Sequence, residues 1–221
     1  MGRTFPELDD DLTTFLAEQR LFFVASAPSG SGGHVNVSPK GHDTFRVLDP
    51  RTVAYLDLTG SGVETIAHLR DNGRITLMFC AFAGPPRVVR LQGRGEPVFP
   101  DDPRFDALAG LFPPLPGVRS VIQVALERIA TSCGYAVPLM AYERERDTLS
   151  KWAERKGPEG LVRYRQEKNA ASIDGLPGLP AASGSDQGAS PSAAPSPAPS
   201  SRARRPTRSA PPSERKTGQP R

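Results

Sequence analysis

Hydrophobic periodicity divides the chain into short segments, most of which read as strands. Leu8, Leu12, Phe15 and Leu16 recur at helical spacing across residues 6–20 and predict an opening amphipathic helix. Residues 21–27, LFFVASA, follow as a buried strand. A Gly/Ser turn at 29–33 and an alternating stretch at 34–38 predict its hairpin partner. A short strand at 44–48 closes at Asp49-Pro50, and another spans 52–58. A helix then runs to about Asp71 and stops at Asn72-Gly73, a C-terminal signal because glycine accepts the left-handed conformation. Residues 74–82, RITLMFCAF, read as a strand turned by Gly84-Pro85-Pro86 into a long partner at 87–99. Gly93 and Gly95 are the expected bulge or bend points of that partner. A short helix at 103–112, a long strand at 120–132 and two helices at 148–156 and 158–169 complete the pattern.

Six or seven hairpin-linked strands with few helices predict a mainly β fold. Only one helix clearly sits between adjacent strands, which disfavours a doubly wound α/β sheet. Bends and glycines in a domain this small favour a closed barrel with peripheral helices over an open sheet.

Composition places the folded domain at residues 1–176. From 177 the chain is Pro, Ser, Ala, Gly and Arg, too poor in large apolar side chains to offset ordering entropy, so 177–221 reads as a disordered tail. That tail holds seven of the 28 Lys and Arg but two of the 24 Asp and Glu, which leaves the body near neutral. The sequence pI of about 9.3 therefore belongs to the tail, and a basic nucleic-acid face on the body is not indicated. Cys80 and Cys133 lie far apart in apolar segments and read as buried free thiols. His34, His42 and His68 have no companions at metal-ligand spacing, so no metal site is expected, and His68 is placed on a helix surface. With no apolar run of membrane length and no signal pattern, a cytoplasmic protein is expected.

The chemistry concentrates in two segments. In VNVSPKG, residues 35–41, Asn36, Ser38 and Lys40 share one face at period two, while Val35 and Val37 take the other, expected to pack. In VAYLDLTGSGVETIAHLR, residues 53–70, a strand runs through a Gly-Ser-Gly turn into a helix. Ser61 and Glu64 have the spacing of a capping box, with Ser61 at the N-cap. Tyr55 and Asp57 share a face at the strand end. A strand-borne cation near a helix N-terminus suits a phosphate held from two sides. The competing reading is an ordinary capped helix and a solvated strand face. Arg87, Arg90 and Gln92 on the next hairpin offer cations and an amide, though exposed strand positions are the commoner role for such residues.

Taken in order, VNVSPKG, VAYLDLTGSGVETIAHLRDNGRITLMFCAF and GPPRVVRLQGRGEPV resemble the pyridoxamine 5'-phosphate oxidase-like family of flavin-binding split barrels, over about residues 21–137. The segment from SCGYAVPLM to DGLPGL is similar to the C-terminal extension of a bacterial subgroup. The resemblance implies a six-stranded barrel that dimerises and binds FMN in the grooves between subunits. It places the Lys40 ammonium at the phosphate, Asn36, Val37 and Ser38 along the isoalloxazine ring, and Tyr55, Leu56 and Asp57 beside the ring and ribityl chain. It assigns Ser61, Gly62, Val63, Glu64 and Thr65 to the phosphate, with Arg87, Arg90 and Gln92 completing the groove. Two departures stand out. The arginine–lysine pair of the authentic oxidase is replaced by Glu64 and Thr65, and its C-terminal Arg-Leu-His motif is missing, so oxidation of pyridoxamine phosphate is not expected. The leading expectation is an FMN-dependent oxidoreductase. The alternatives are an F420-dependent reductase of the same fold and a non-enzymatic flavin-binding or interaction module whose basic tail recruits a partner. No side chain stands out as a proton donor.

Overall fold

The structure, a computed structural model, describes residues 2–180. In chain order it comprises β1 (Arg3–Phe5), α1 (Asp10–Glu18), β2 (Phe22–Ser26), β3 (Asn36–Lys40), β4 (Phe45–Asp49), β5 (Thr52–Leu58), α2 (Glu64–Asn72), β6 (Arg74–Cys80), β7 (Val88–Val98), α3 (Phe105–Ala109), β8 (Val118–Ser132) and α4 (Thr148–Lys168). Only β1 has no counterpart in the sequence reading. Three residues are too few for a periodic signal, and this strand exists because β8 offers it an edge, with Phe5 opposite Ile129.

Every strand pair is antiparallel, in the order β3-β2-β6-β7-β8-β5-β4, with β1 beside β8. The mainly β class is as expected. Its strand number and closure are not: eight strands form one sheet whose ladder stays open, with β3 and β4 as its ends. The sheet nevertheless curls around one core. Phe22 on β2 stands 5.7 Å from Tyr55 on β5 and 5.6 Å from Phe45 on β4, across a sheet order that places β6, β7 and β8 between β2 and β5. Val24, Leu77, Leu91, Ile122 and Val124 fill the interior, and α1 adds Leu12, Phe15 and Leu16. The barrel is thus split along one seam, between β3 and the β4–β5 hairpin.

Glycines permit the curl. A bulge falls between Gln92 and Gly93, where β7 crosses β8 so closely that a Cβ on Gly93 would collide with the Ala125 backbone and lie 3.1 Å from Leu126 Cα. Gly95 lets Leu69 of α2 pack onto the sheet; a Cβ there would lie 3.1 Å from its side chain.

Helix α2 ends at Gly73 in the left-handed conformation, as read from Asn72-Gly73. Its start differs from expectation. The N-cap is Val63, no side chain caps it, and Ser61 is exposed two residues upstream, so the expected capping box does not form. His68 is fully buried rather than on the surface, because five consecutive residues, Thr65–Leu69, are buried against the sheet. Its Nδ1 lies 3.0 Å from Ser26 Oγ. Cys80 is buried as expected, whereas Cys133 is exposed just beyond the end of β8.

The two expected C-terminal helices are the halves of α4, broken at Gly157 (φ 64°) ahead of Pro158. The chain then folds back. Gly178 and Leu179 donate backbone hydrogen bonds to Ala170 and Asn169, at 2.8 and 2.9 Å, and Leu179 packs on the core. The packed chain therefore continues past residue 176, and the expected tail from 181 onward lies outside the described residues. No helix among the described residues is long and apolar enough to cross a membrane.

Replacing Gly93 with valine forces a side chain into the β7–β8 crossing and is expected to cost about 2–3 kcal/mol. Thermal melting should then fall by about 5–10 °C. Gly30→Ala, where nothing lies within 4 Å, is the control and should melt like the wild type.

Candidate functional site

The seam between the ends of the sheet holds a cavity of about 300 Å³. One wall is β3 and the loop after it, with Ser38, Lys40, His42 and Thr44. The other comprises Leu56 and Leu58 of β5 and the turn from Gly60 into the first residues of α2. Arg119 from the start of β8 and Leu149 from α4 close the remaining sides. The sheet is open here because β3 and β4, joined by a short loop, diverge around this space instead of pairing.

Asp57 anchors the floor. It is 1 % exposed and accepts from Lys40 Nζ at 3.1 Å, from Arg119 Nη2 at 3.4 Å, and from Arg119 Nε. Burial alone would raise its pKa, but the Lys40 and Arg119 charges and their hydrogen bonds outweigh burial and hold it at about 2. Arg119 continues outward, donating to Asn169 Oδ1 at 2.9 Å, while Asn169 Nδ2 donates to the Gly60 carbonyl at 3.0 Å. Arg165 of α4 donates to Thr59 Oγ1 at 2.9 Å and to the Val118 carbonyl at 2.9 Å. Its pKa is lowered by burial first and by the nearby Arg119 charge second.

Of the two cations on Asp57, Lys40 is the accessible one: its side chain is 19 % exposed, against 5 % for Arg119. Lys40 can therefore turn toward an incoming anion while Arg119 keeps Asp57 paired. The other wall offers the N-terminus of α2, whose first-turn N–H groups have no side-chain cap and carry the positive end of the helix dipole. Gly62 leaves room there, because a Cβ would run into the Glu64 carboxylate folded beside it.

The structure brings most of the sequence-predicted residues together at the seam and places the others elsewhere. Ser38, Lys40, Leu56, Ser61, Gly62, Glu64 and Thr65 line the cavity. Asn36 joins them through hydrogen bonds to Thr65 Oγ1 at 3.0 Å and to Ser38 Oγ at 3.2 Å, and Asp57 lies beneath. Asn36, Ser38 and Lys40 do share a face, but it is the face that turns inward. The valine side, expected to pack, is outside: Val35 and Val37 are 71 % and 60 % exposed, because β3 ends the sheet and nothing among the described residues covers that face. Val63 is the buried N-cap. Tyr55 packs wholly in the core and does not border the cavity. Arg87, Arg90 and Gln92 stand elsewhere on the sheet: Arg87 pairs with Asp11 at 2.8 Å, Arg90 donates to Ser132 Oγ at 3.1 Å, and Gln92 accepts from Arg128 at 2.8 Å.

Arg119, Arg165 and Asn169 were not singled out from the sequence. Arg119 carries a faint signal, a lone charge at the head of the apolar run VIQVAL. Arg165 and Asn169 reach the site only through the return of α4, which no local pattern encodes. No cluster of His, Cys, Asp or Glu suited to a metal occurs among the described residues.

Because the Asp57 pKa is depressed, the stability that its ionised form contributes is complete above the ordinary value of 3.8 and is lost as pH falls toward about 2. A shift of that size corresponds to about 2 kcal/mol. Asp57→Asn leaves Arg119 buried without its counter-charge and should cost about 3–5 kcal/mol at pH 7. Urea unfolding followed from pH 7 to 2 should show this loss together with a flattened acid limb. An unchanged acid limb would remove Asp57 as the anchor.

Comparison with known proteins gives this arrangement a context. A sequence model of the pyridoxamine 5'-phosphate oxidase family matches residues 8–133. The pyridoxamine 5'-phosphate oxidase family protein ustO of Aspergillus flavus is 42% identical over 195 residues, covering 80% of this chain and 78% of that protein. A match of that extent runs beyond the family segment into α4 and Asn169. Among solved structures, HupZ of Group A Streptococcus is 22% identical with a TM-score of 0.43, covering 55% of this chain and 91% of its own. A FAD-binding protein from Mesorhizobium loti is 17% identical with a TM-score of 0.43, covering 59% and 95%. With over half its length matched by the family model and a close relative along most of both sequences, this chain belongs to the pyridoxamine 5'-phosphate oxidase family.

Proposed function

We propose that the protein is an FMN-dependent oxidoreductase, with the phosphate and ribityl end of the cofactor in the seam cavity. The observation that carries this reading is the pairing of an accessible ammonium, Lys40, with an uncapped helix N-terminus across a cavity of about 300 Å³. The residues suit a sugar phosphate. Ser38, Ser61 and Thr65 supply hydroxyls, Gly60 and Gly62 allow close approach of the backbone, and Leu56 and Leu58 give an apolar wall. Glu64 replaces the cationic pair of the authentic oxidase, so Lys40 and the turn amides carry the phosphate contact here. Asn36, Val37 and Ser38 are proposed to lie along the isoalloxazine ring. The exposed Val35 and Val37 are proposed to meet a second copy in a homodimer, and Arg87, Arg90 and Gln92 are proposed to contribute across that dimer rather than within one chain.

When bound, the flavin would supply hydride or single-electron chemistry. The chain's own residues bind and orient it: Lys40 would turn to the phosphate while Arg119 keeps the buried Asp57 paired. Pyridoxamine 5'-phosphate is not the proposed substrate, because the Arg-Leu-His motif that grips its phosphate is missing.

Purified protein should show a flavin visible spectrum, or acquire one on addition of FMN. Lys40→Gln should weaken FMN at least about tenfold, a loss of about 1.4 kcal/mol. A colourless protein that takes up F420 and not FMN, or neither, would overturn the reading.

A further inference from the structure

We propose that Asn169 is a positioning residue through which the C-terminal extension sets the shape of the phosphate-holding turn, an inference that rests on the flavin reading above. Asn169 closes the second half of α4 and is fully buried. Each of its four polar atoms has a fixed partner. The side-chain oxygen takes Arg119 Nη1 at 2.9 Å, and the side-chain nitrogen gives to the Gly60 carbonyl at 3.0 Å. The backbone N–H gives to Arg165 and the backbone carbonyl takes Leu179, at 2.8 and 2.9 Å.

One amide thus joins the buried guanidinium on Asp57 to the peptide that opens the turn. The bond to the Gly60 carbonyl fixes the orientation of that peptide. In a trans peptide the N–H points opposite to the C=O, so the Ser61 N–H is directed away from Asn169, which stands outside the cavity wall. Two further contacts from the extension hold the same turn. Arg165 grips Thr59 Oγ1, while Thr59 N–H and Oγ1 both donate to the Gly117 carbonyl at 2.8 and 2.7 Å. Gly178 lies against Val63, the N-cap of α2, so tightly that a Cβ would come within 2.8 Å of the valine Cγ1. The extension therefore touches the turn at its beginning, its middle and its end. In the flavin reading the phosphate is the part that would depend on this turn, whereas the isoalloxazine ring would lie along β3.

The test compares FMN with riboflavin, which lacks the phosphate, by flavin fluorescence titration of the full chain and of Asn169→Ala, with thermal melting as a check on folding. The wild type should bind FMN more tightly than riboflavin. Asn169→Ala should lose at least tenfold in FMN affinity and less than threefold in riboflavin affinity, so that the preference collapses, and Asn169→Gln should restore part of it. Equal weakening of both ligands, or an FMN preference equal to that of the wild type, overturns the positioning role while leaving the flavin reading intact. A wild type that binds neither ligand overturns both. If Asn169→Ala does not fold, the near-isosteric Thr59→Val, which removes the Arg165 contact to the same turn, takes its place with the same expected collapse and the same overturning results.

Discussion

A carboxylate buried to 1 % exposure cannot stay ionised without compensation, and the compensation of Asp57 organises everything around the seam. Lys40 comes from the end strand β3, Arg119 from the head of β8, and Asp57 itself from β5. One charge cluster therefore ties the end strand β3 to the paired strands β5 and β8, from which the ladder separates it. The second cation matters as much as the first. With Arg119 fixed below, Lys40 can move to a ligand without leaving Asp57 buried and alone. A site with a single cation would have to choose between stability and binding.

The same cluster links the family core to the C-terminal extension. Arg119 is satisfied on its far side by Asn169, and Asn169 is in turn tied to the turn that leads into α2. The extension thus braces the one part of the barrel that the sheet does not close. Electrostatics also explains the tolerance of Glu64. Its half-buried carboxylate folds beside Gly62, and the helix amides, Lys40 and Arg119 are the positive elements lining the cavity.

The strands other than β1, their hairpins, the bulge at Gly93, the stop at Gly73 and the break at Gly157 were legible because each depends on local periodicity or on one residue's backbone freedom. The face shared by Asn36, Ser38 and Lys40 was legible for the same reason. Which way that face turns was not: on an end strand either side can meet the core, and here the buried carboxylate drew the lysine inward and left Val35 and Val37 outside. Tyr55 was misplaced because period two gives it the same side as Asp57 without saying that the side is the core. The capping box at Ser61 and Glu64 matched a spacing whose backbone starts the helix two residues later. Arg119, Arg165 and Asn169 are separated from Asp57 by 62 to 112 positions; the β5–β8 pairing brings Arg119 to it, and the return of α4 onto the sheet brings the other two.

The most direct measurement is a crystal structure with FMN bound. The cofactor phosphate should lie within hydrogen-bonding distance of Lys40 Nζ and the first-turn amides of α2. Lys40 should have shifted from Asp57, and Arg119 should still be paired with it. A phosphate seated away from α2, or a Lys40 that stays on Asp57 while the phosphate is held elsewhere, would contradict the role given to the seam.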